Sequence, residues 1–82
     1  MLKFGNIGLK EIYNSLQKGD LLRGRVFNAI YIVVSKNIDY YSTRKVKIRE
    51  IKLKTIIQDE YGVSVRNIYI NQRNKQFLTK LT

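Results

Sequence analysis

The spacing of apolar side chains predicts an α-helix near the start of the chain. Ile7, Ile12 and Leu16 lie close to one face of a helix over residues 7–18. Asn6 is suited to the N-cap position, and Gly19 to the position just after the last turn. We therefore expect the first element to be a short amphipathic helix.

The pattern changes at Asp20 to one that is typical of strands. Positions alternate along residues 20–28, and Asn28-Ala29 is suited to a tight connection. The β-branched run Ile30–Val34 then predicts a largely buried strand. A loop is expected over the polar residues 35–39.

In the segment Arg44–Arg49, cationic and apolar side chains alternate from Lys45 onward. Val46 and Ile48 would share one face of a strand, opposite Lys45, Lys47 and Arg49. This pattern predicts a half-buried strand with a cationic outer face. The alternation is lost at Glu50.

Leu53, Ile57 and Tyr61 then recur at every fourth position, which predicts a second helix ending at Gly62.

The last twenty residues allow two interpretations. In the first, Val63–Ile70 is a strand, Asn71–Asn74 a turn, and Gln76–Leu81 another strand. In the second, residues 53–73 form a helix-turn-helix. We favour the strands, because three asparagines in this region are poor helix formers.

These elements predict one α+β domain over residues 1–82, in the order α-β-β-β-α-β-β. A curled antiparallel sheet, with barrel-like closure as one option, would pack against one or two helices. Lys18-Gly19-Asp20 followed by Arg23-Gly24-Arg25-Val26 resembles the opening strand of small SH3-like or OB-like barrels. That resemblance implies a bent strand with a basic edge at Arg23 and Arg25. The expected core comprises Ile12, Leu16, Leu22, Val26, Ile30, Ile32, Val34, Val46, Ile48, Leu53, Ile57, Ile68 and Ile70.

Composition removes several classes of chemistry. The 82-residue chain contains no Cys and no His, which excludes Ser-His-Asp and Cys-His catalysis and leaves carboxylates as the metal ligands available. We expect no cofactor and no metal. The run Ile30–Val34 is far shorter than the roughly 18 residues of a membrane span. Met1–Gly8 also lacks the apolar segment of a signal peptide, so we expect a cytoplasmic protein without membrane contact.

Charge indicates the partner. The net charge is +10, and residues 41–82 carry +7 of it. A basic folded module of this kind is typical of nucleic-acid binding, and we favour DNA over RNA. The residues expected to hold phosphates are Arg44, Lys45, Lys47, Arg49, Lys52, Lys54, Arg66, Arg73 and Lys75. Those that could stack on bases are Tyr40, Tyr41 and Tyr69.

A second interpretation rests on a resemblance to the helix-turn-helix family. It is carried by Gly62-Val63-Ser64, by Ile68-Tyr69 and by Arg73, while Gln58 departs from the small residue usual before the turn. The resemblance implies a transcriptional regulator with a recognition helix over residues 64–73. Arg66 and Asn67 would then contact base edges.

Two further functional classes, a metal-dependent nuclease and a protein-docking factor, have some support in the sequence. Asp39 with Glu50-Ile51-Lys52 resembles the D…(D/E)xK arrangement of Mg²⁺-dependent nucleases, but the preceding Pro is absent, so we expect a protein that is not an enzyme. Residues of AT-rich codons (Ile, Lys, Asn, Tyr and Phe) make up 37 of 82, which is compatible with an AT-rich cell, a virus or a mobile element as the source. Such a factor could instead dock on an acidic host protein. A homodimer is compatible with either role.

Overall fold

The computed structural model describes residues 1–25, 29–41 and 47–82. Within these residues the chain forms one α-helix, six strands and two short 3-10 helices. In chain order they are β1 (Leu2–Lys3), a 3-10 helix (Phe4–Asn6), α1 (Leu9–Ser15), β2 (Leu21–Gly24), β3 (Ile30–Tyr40), β4 (Ile48–Asp59), β5 (Gly62–Ile70), a second 3-10 helix (Lys75–Phe77) and β6 (Leu78–Lys80).

The six strands of the described residues form one antiparallel sheet in the order β1-β6-β2-β3-β4-β5. β1 and β5 are its edges, and no pairing joins them in this part of the chain, so the sheet is open. β3 and β4 have 11 and 12 residues. At about 3.3 Å per residue such strands span roughly 40 Å. They account for the 44 Å long axis of the molecule.

The first predicted helix is present but shorter than expected. α1 covers seven residues, with Gly8 rather than Asn6 at its N-cap. Leu9 and Ile12 are buried in the helix, and Leu16 is buried just after it, where the backbone becomes extended. The predicted apolar stripe therefore packs on the sheet.

The loop expected over residues 35–39 is wrong, because β3 continues to Tyr40. Its second half pairs with β4, and Lys36 lies opposite Leu53. The predicted inward face of β3 is also wrong: Tyr31 and Val33 are buried, whereas Ile30 and Ile32 are half-buried. A continuous apolar run does not show which residues point inward, and packing decides it.

The second predicted helix is also wrong, because Leu53–Tyr61 lies mostly in β4. A spacing of four residues places side chains on one face of a strand as well as on one side of a helix. Thr55 completes the buried row between Leu53 and Ile57, and its Oγ1 donates to the Arg66 carbonyl at 2.8 Å. Being polar, Thr55 concealed the alternation in the sequence. The predicted strand over 44–49 falls partly outside the described residues, and β4 begins at Ile48.

The strand predicted over Val63–Ile70 is confirmed as β5. The recognition helix expected over residues 64–73 is therefore wrong, and the helix-turn-helix interpretation that depends on it is wrong as well. The predicted turn over Asn71–Asn74 is present, and Asn71 and Asn74 hydrogen-bond each other's backbone within it. The last predicted strand is reduced to β6. The connection expected at Asn28-Ala29 falls largely outside the described residues.

The core lies between α1 and one face of the sheet. Predicted core residues that are buried are Ile12, Leu16, Leu22, Leu53, Ile57 and Ile70. Ile48 and Ile68 pack against them partly buried, and Val26 and Val46 lie outside the described residues. Phe4 and Ile51 are fully buried and were not predicted. Both belong to segments whose pattern gave no clear period in the sequence.

Candidate nucleic-acid interface

The sheet has two different faces. α1 and Phe4 pack on one of them, which we call the covered face. We call the other face the open face. The strand registers show which side chains lie on it, because directly paired residues point to the same face of a sheet. The open face carries Lys3, Leu21, Arg23, Ile30, Ile32, Ser35, Asn37, Asp39, Glu50, Lys52, Lys54, Ile56, Gln58, Val63, Val65, Asn67, Tyr69 and Thr79.

An apolar row crosses the middle of the open face. Leu21 pairs with Ile32, Ile32 with Ile56, and Ile56 with Val65. Three of these side chains are half-buried, and Val65 is 64% exposed at the sheet edge. No described element packs over this row, so the surface there is apolar and accessible.

Two of the predicted phosphate-binding residues lie beside that row. Lys52 and Lys54 are exposed on the open face, one i, i+2 step apart, which is about 6.6–7 Å along a strand. Their cross-strand partners on β5 are Tyr69 and Asn67. Tyr69 is 48% exposed. The register thus places a cation and an accessible aromatic ring side by side.

A second basic zone lies at the β1-β6-β2 end of the sheet. Lys3, Arg23, Arg25, Phe77 and Thr79 line one shallow groove there. Three of these side chains are cationic, and the described residues that line the groove include no acidic one. The basic edge predicted at Arg23 and Arg25 is wrong, because β2 lies between β6 and β3 inside the sheet. Both cations belong to the groove instead, and Lys3 and Phe77, which line it with them, were not predicted from the sequence. Pairing of β6 between β1 and β2 brings them together across about 75 residues of sequence.

The long paired strands β3 and β4 form a ribbon, and we call the end of it that holds Tyr40 and Ile48 the far end. Acidic side chains lie there. Asp39 pairs directly with Glu50, and Lys52 follows two residues later. Arg49, at a bulge in the ladder, lies 3.7 Å from the Asp39 carboxylate. The residues of the D…(D/E)xK resemblance are therefore neighbours on adjacent strands.

Several predicted site residues lie elsewhere. Arg66 pairs with Thr55, which places it on the covered side, in a groove that Asp59 and Glu60 also line. Lys75 Nζ donates to the Ile7 carbonyl at 2.6 Å, so its charge is used within the fold. Arg73 is exposed in the turn that follows β5.

Four further predicted residues, Tyr40, Tyr41, Lys47 and Arg49, lie around the far end of the ribbon. Tyr40 and Tyr41 are 49% and 47% exposed, and Lys47 Nζ lies 5.9 Å from the centre of the Tyr41 ring. Arg44 and Lys45 lie outside the described residues. The predicted single cationic strand face is thus divided between the ribbon end and the open face.

Comparison with protein-family models, with curated proteins and with solved structures gave no match to this chain. Among the described residues, no helix is long and apolar enough to cross a membrane.

Proposed function

We propose that this protein binds nucleic acid without catalysis, and single-stranded DNA in preference to duplex, through the open face. One observation carries the proposal. The open face, together with its groove, exposes Lys and Arg side chains around accessible aromatic and apolar ones, and acidic groups lie only at its far end among the described residues. The cations are Lys3, Arg23, Arg25, Lys52 and Lys54.

The physical argument has two parts. Each phosphate that Lys or Arg neutralises releases counterions, which favours association at low salt. Tyr69 and Phe77, at 48% and 39% exposure, offer rings for stacking on unpaired bases. Paired bases in a duplex do not expose their faces to such rings. An open sheet face with accessible aromatic and apolar side chains therefore favours a single strand.

The direct test is fluorescence anisotropy of a labelled single strand and of the matching duplex at about 50 and 200 mM salt. Five neutralised phosphates, at about 0.7 each in the slope for single strands, predict roughly 100-fold weaker binding at the higher salt. The single strand should bind more tightly than the duplex. Absence of binding at low salt, or binding that ignores salt, would contradict the proposal.

A matched pair of variants separates the open face from total charge. Lys52→Ser with Lys54→Ser removes two charges from the open face, and the salt slope should become shallower by about 1.4. Lys10→Ser with Lys18→Ser removes the same charge from exposed positions in and after α1. If both pairs weaken binding equally, the open face has no special role.

The register of Asp39 against Glu50 supports a second candidate, Mg²⁺-dependent cleavage of the bound strand. The two carboxylates would hold the ion, which would supply an activated water, and Lys52 would orient that water. Incubation of the labelled strand with MgCl₂ tests it. Cleavage that is lost in Glu50→Gln, while binding persists, would establish the nuclease. An intact strand after incubation with Mg²⁺ would exclude it.

A further inference from the structure

β5 leaves one edge of the sheet open. This strand has nine residues, and in the described part of the chain it pairs with β4 alone. Asp59 pairs with Gly62 across a two-residue loop, which makes that pair a hydrogen-bonded one. Every second residue from Gly62 therefore bonds to β4. Val63, Val65, Asn67 and Tyr69 direct their N–H and C=O groups outward.

Two side-chain contacts agree with this assignment. Thr55 Oγ1 on β4 reaches the Arg66 carbonyl at 2.8 Å, so that carbonyl points toward β4. Asn74 Nδ2 reaches the Tyr69 carbonyl at 2.7 Å from the turn beyond the strand. The Asn74 contact also covers the edge at Tyr69. The accessible edge groups are thus concentrated between Val63 and Asn67.

This edge lacks the features that usually prevent pairing. Exposed edges of monomeric proteins are short, or carry Lys, Pro or bulges. The opposite edge, β1, has two residues and ends in Lys3. β5 contains no Pro and no Lys, and one charged residue, Arg66, in a chain with 16 Lys and Arg. Val63 and Val65 are 69% and 64% exposed.

We infer that a second copy of this chain pairs antiparallel along β5, with Val65 opposite Val65 of the second copy. Val63 then lies opposite the second copy's Asn67, and Ser64 opposite its Arg66. Val63, Val65 and Asn67 of each strand gain hydrogen-bond partners, and no like charges lie directly opposite one another. A register centred on Arg66 would instead oppose two guanidinium groups, which is unfavourable.

This pairing keeps both open faces on the same side of a twelve-stranded sheet. The apolar row would continue from Ile56 and Val65 of one copy into Val65 and Ile56 of the other. The net charge of +10 on each copy opposes association at low salt. Dimerisation should therefore strengthen with salt, whereas the proposed DNA binding weakens. The two can fail independently, and the dimer is measured without nucleic acid.

Sedimentation velocity of the nucleic-acid-free chain, over a roughly hundredfold range of concentration at about 0.1 and 0.5 M salt, tests association. The dimer fraction should rise with concentration and should be larger at the higher salt. A chain that stays monomeric throughout would overturn the inference, and β5 would then require a different partner.

Single-cysteine variants test the register, because the native chain has no Cys. Hydrogen-bonded pairs have Cα atoms about 5.5 Å apart, within the range that disulfides bridge. Val65→Cys should therefore form a covalent dimer on mild oxidation. Val63→Cys is the matched control, since it is similarly exposed but lies four residues from its counterpart. A mixture of Val63→Cys with Asn67→Cys should form the mixed dimer. Equal cross-linking of Val63→Cys and Val65→Cys alone would overturn the proposed register.

Discussion

Lysine side chains hold the N-terminal segment on the sheet. Lys36 Nζ donates to the Tyr13 carbonyl and Lys80 Nζ to the Ser15 carbonyl, each at 2.7 Å. Both acceptors belong to the last turn of α1, where carbonyls lack partners within the helix and positive charge is favourable. A seven-residue helix is not stable in isolation, so these contacts and its packing maintain it. Part of the +10 charge thus has a structural role.

We predict that the single substitution Lys80→Met destabilises the fold. Lys80 also lies 3.3 Å from the Asp20 carboxylate, and both side chains are 16% exposed. Loss of the two contacts should lower the free energy of unfolding by about 1–2 kcal/mol in urea denaturation. Lys10→Met, at an exposed position of α1, should change it by less than about 0.5 kcal/mol. Equal effects would show that the Lys80 contacts contribute nothing specific.

Among the elements, the β4–β5 hairpin depends on one backbone conformation. Gly62, the first residue of β5, has a φ of +117°, which side-chain-bearing residues rarely adopt. Asp59 Oδ1 accepts from the Tyr61 N–H at 2.8 Å and supports the same turn. The turn defines the register of the hairpin and, with it, which groups of β5 face outward.

We therefore predict that Gly62→Ala lowers the free energy of unfolding by about 1–2 kcal/mol. An added Cβ meets no atom within 4 Å there, so the cost would arise from the backbone and not from a clash. Gly8→Ala is the control, since Gly8 has equally open space but a φ of −78°. Thermal denaturation of the two variants measures the difference. A Gly62→Ala variant as stable as Gly8→Ala would contradict this explanation.

On the scale of the whole molecule, the fold is a single sheet with packing concentrated on one face. Ile56 and Ile57 are adjacent in β4 and chemically identical, but they point to opposite faces. Ile57 is 2% exposed in the core of the covered face, whereas Ile56 is half-buried in the apolar row of the open face. The two residues allow the contribution of each face to be compared without a change of side-chain type.

Ile57→Ala should lower the free energy of unfolding by about 2–4 kcal/mol, because it removes buried methyl groups and leaves a cavity. Ile56→Ala should lower it by about 1 kcal/mol, because the Ile56 side chain is already partly hydrated. Chemical denaturation of both variants gives the comparison. Similar losses would contradict this difference between the faces and would indicate that the open face is covered in solution.

The local pattern of apolar and polar residues predicted secondary structure correctly where a single helical or strand period dominated. Ile12 and Leu16 identified the helix, and the alternation in Val63–Ile70, with its poor helix formers, identified β5. It failed at Leu53 and Ile57, whose spacing suits a helix and a strand equally. It also failed at Ser35–Tyr40, where polar residues form a strand because β4 pairs with them. Strand pairing is a long-range interaction that a local window does not contain.

The candidate interface was partly predictable for the same reason. Lys52, Lys54 and Tyr69 were selected from charge and residue type, which are properties of the sequence alone. Their grouping on the open face depends on the register of β4 with β5. The engagement of Lys75 with the Ile7 carbonyl depends on contacts between the two ends of the chain.

The sequence by itself determined the charge, the absence of His and Cys chemistry, and the existence of a helix followed by strands. These follow from residue identity and from local periodicity. The tertiary structure decided which face of each strand is buried, which cations support the fold, and which remain on the open face. It also decided that β5 lies at an edge. Those properties arise from pairing between segments distant in sequence, and the free energy of that pairing is not contained in any single segment.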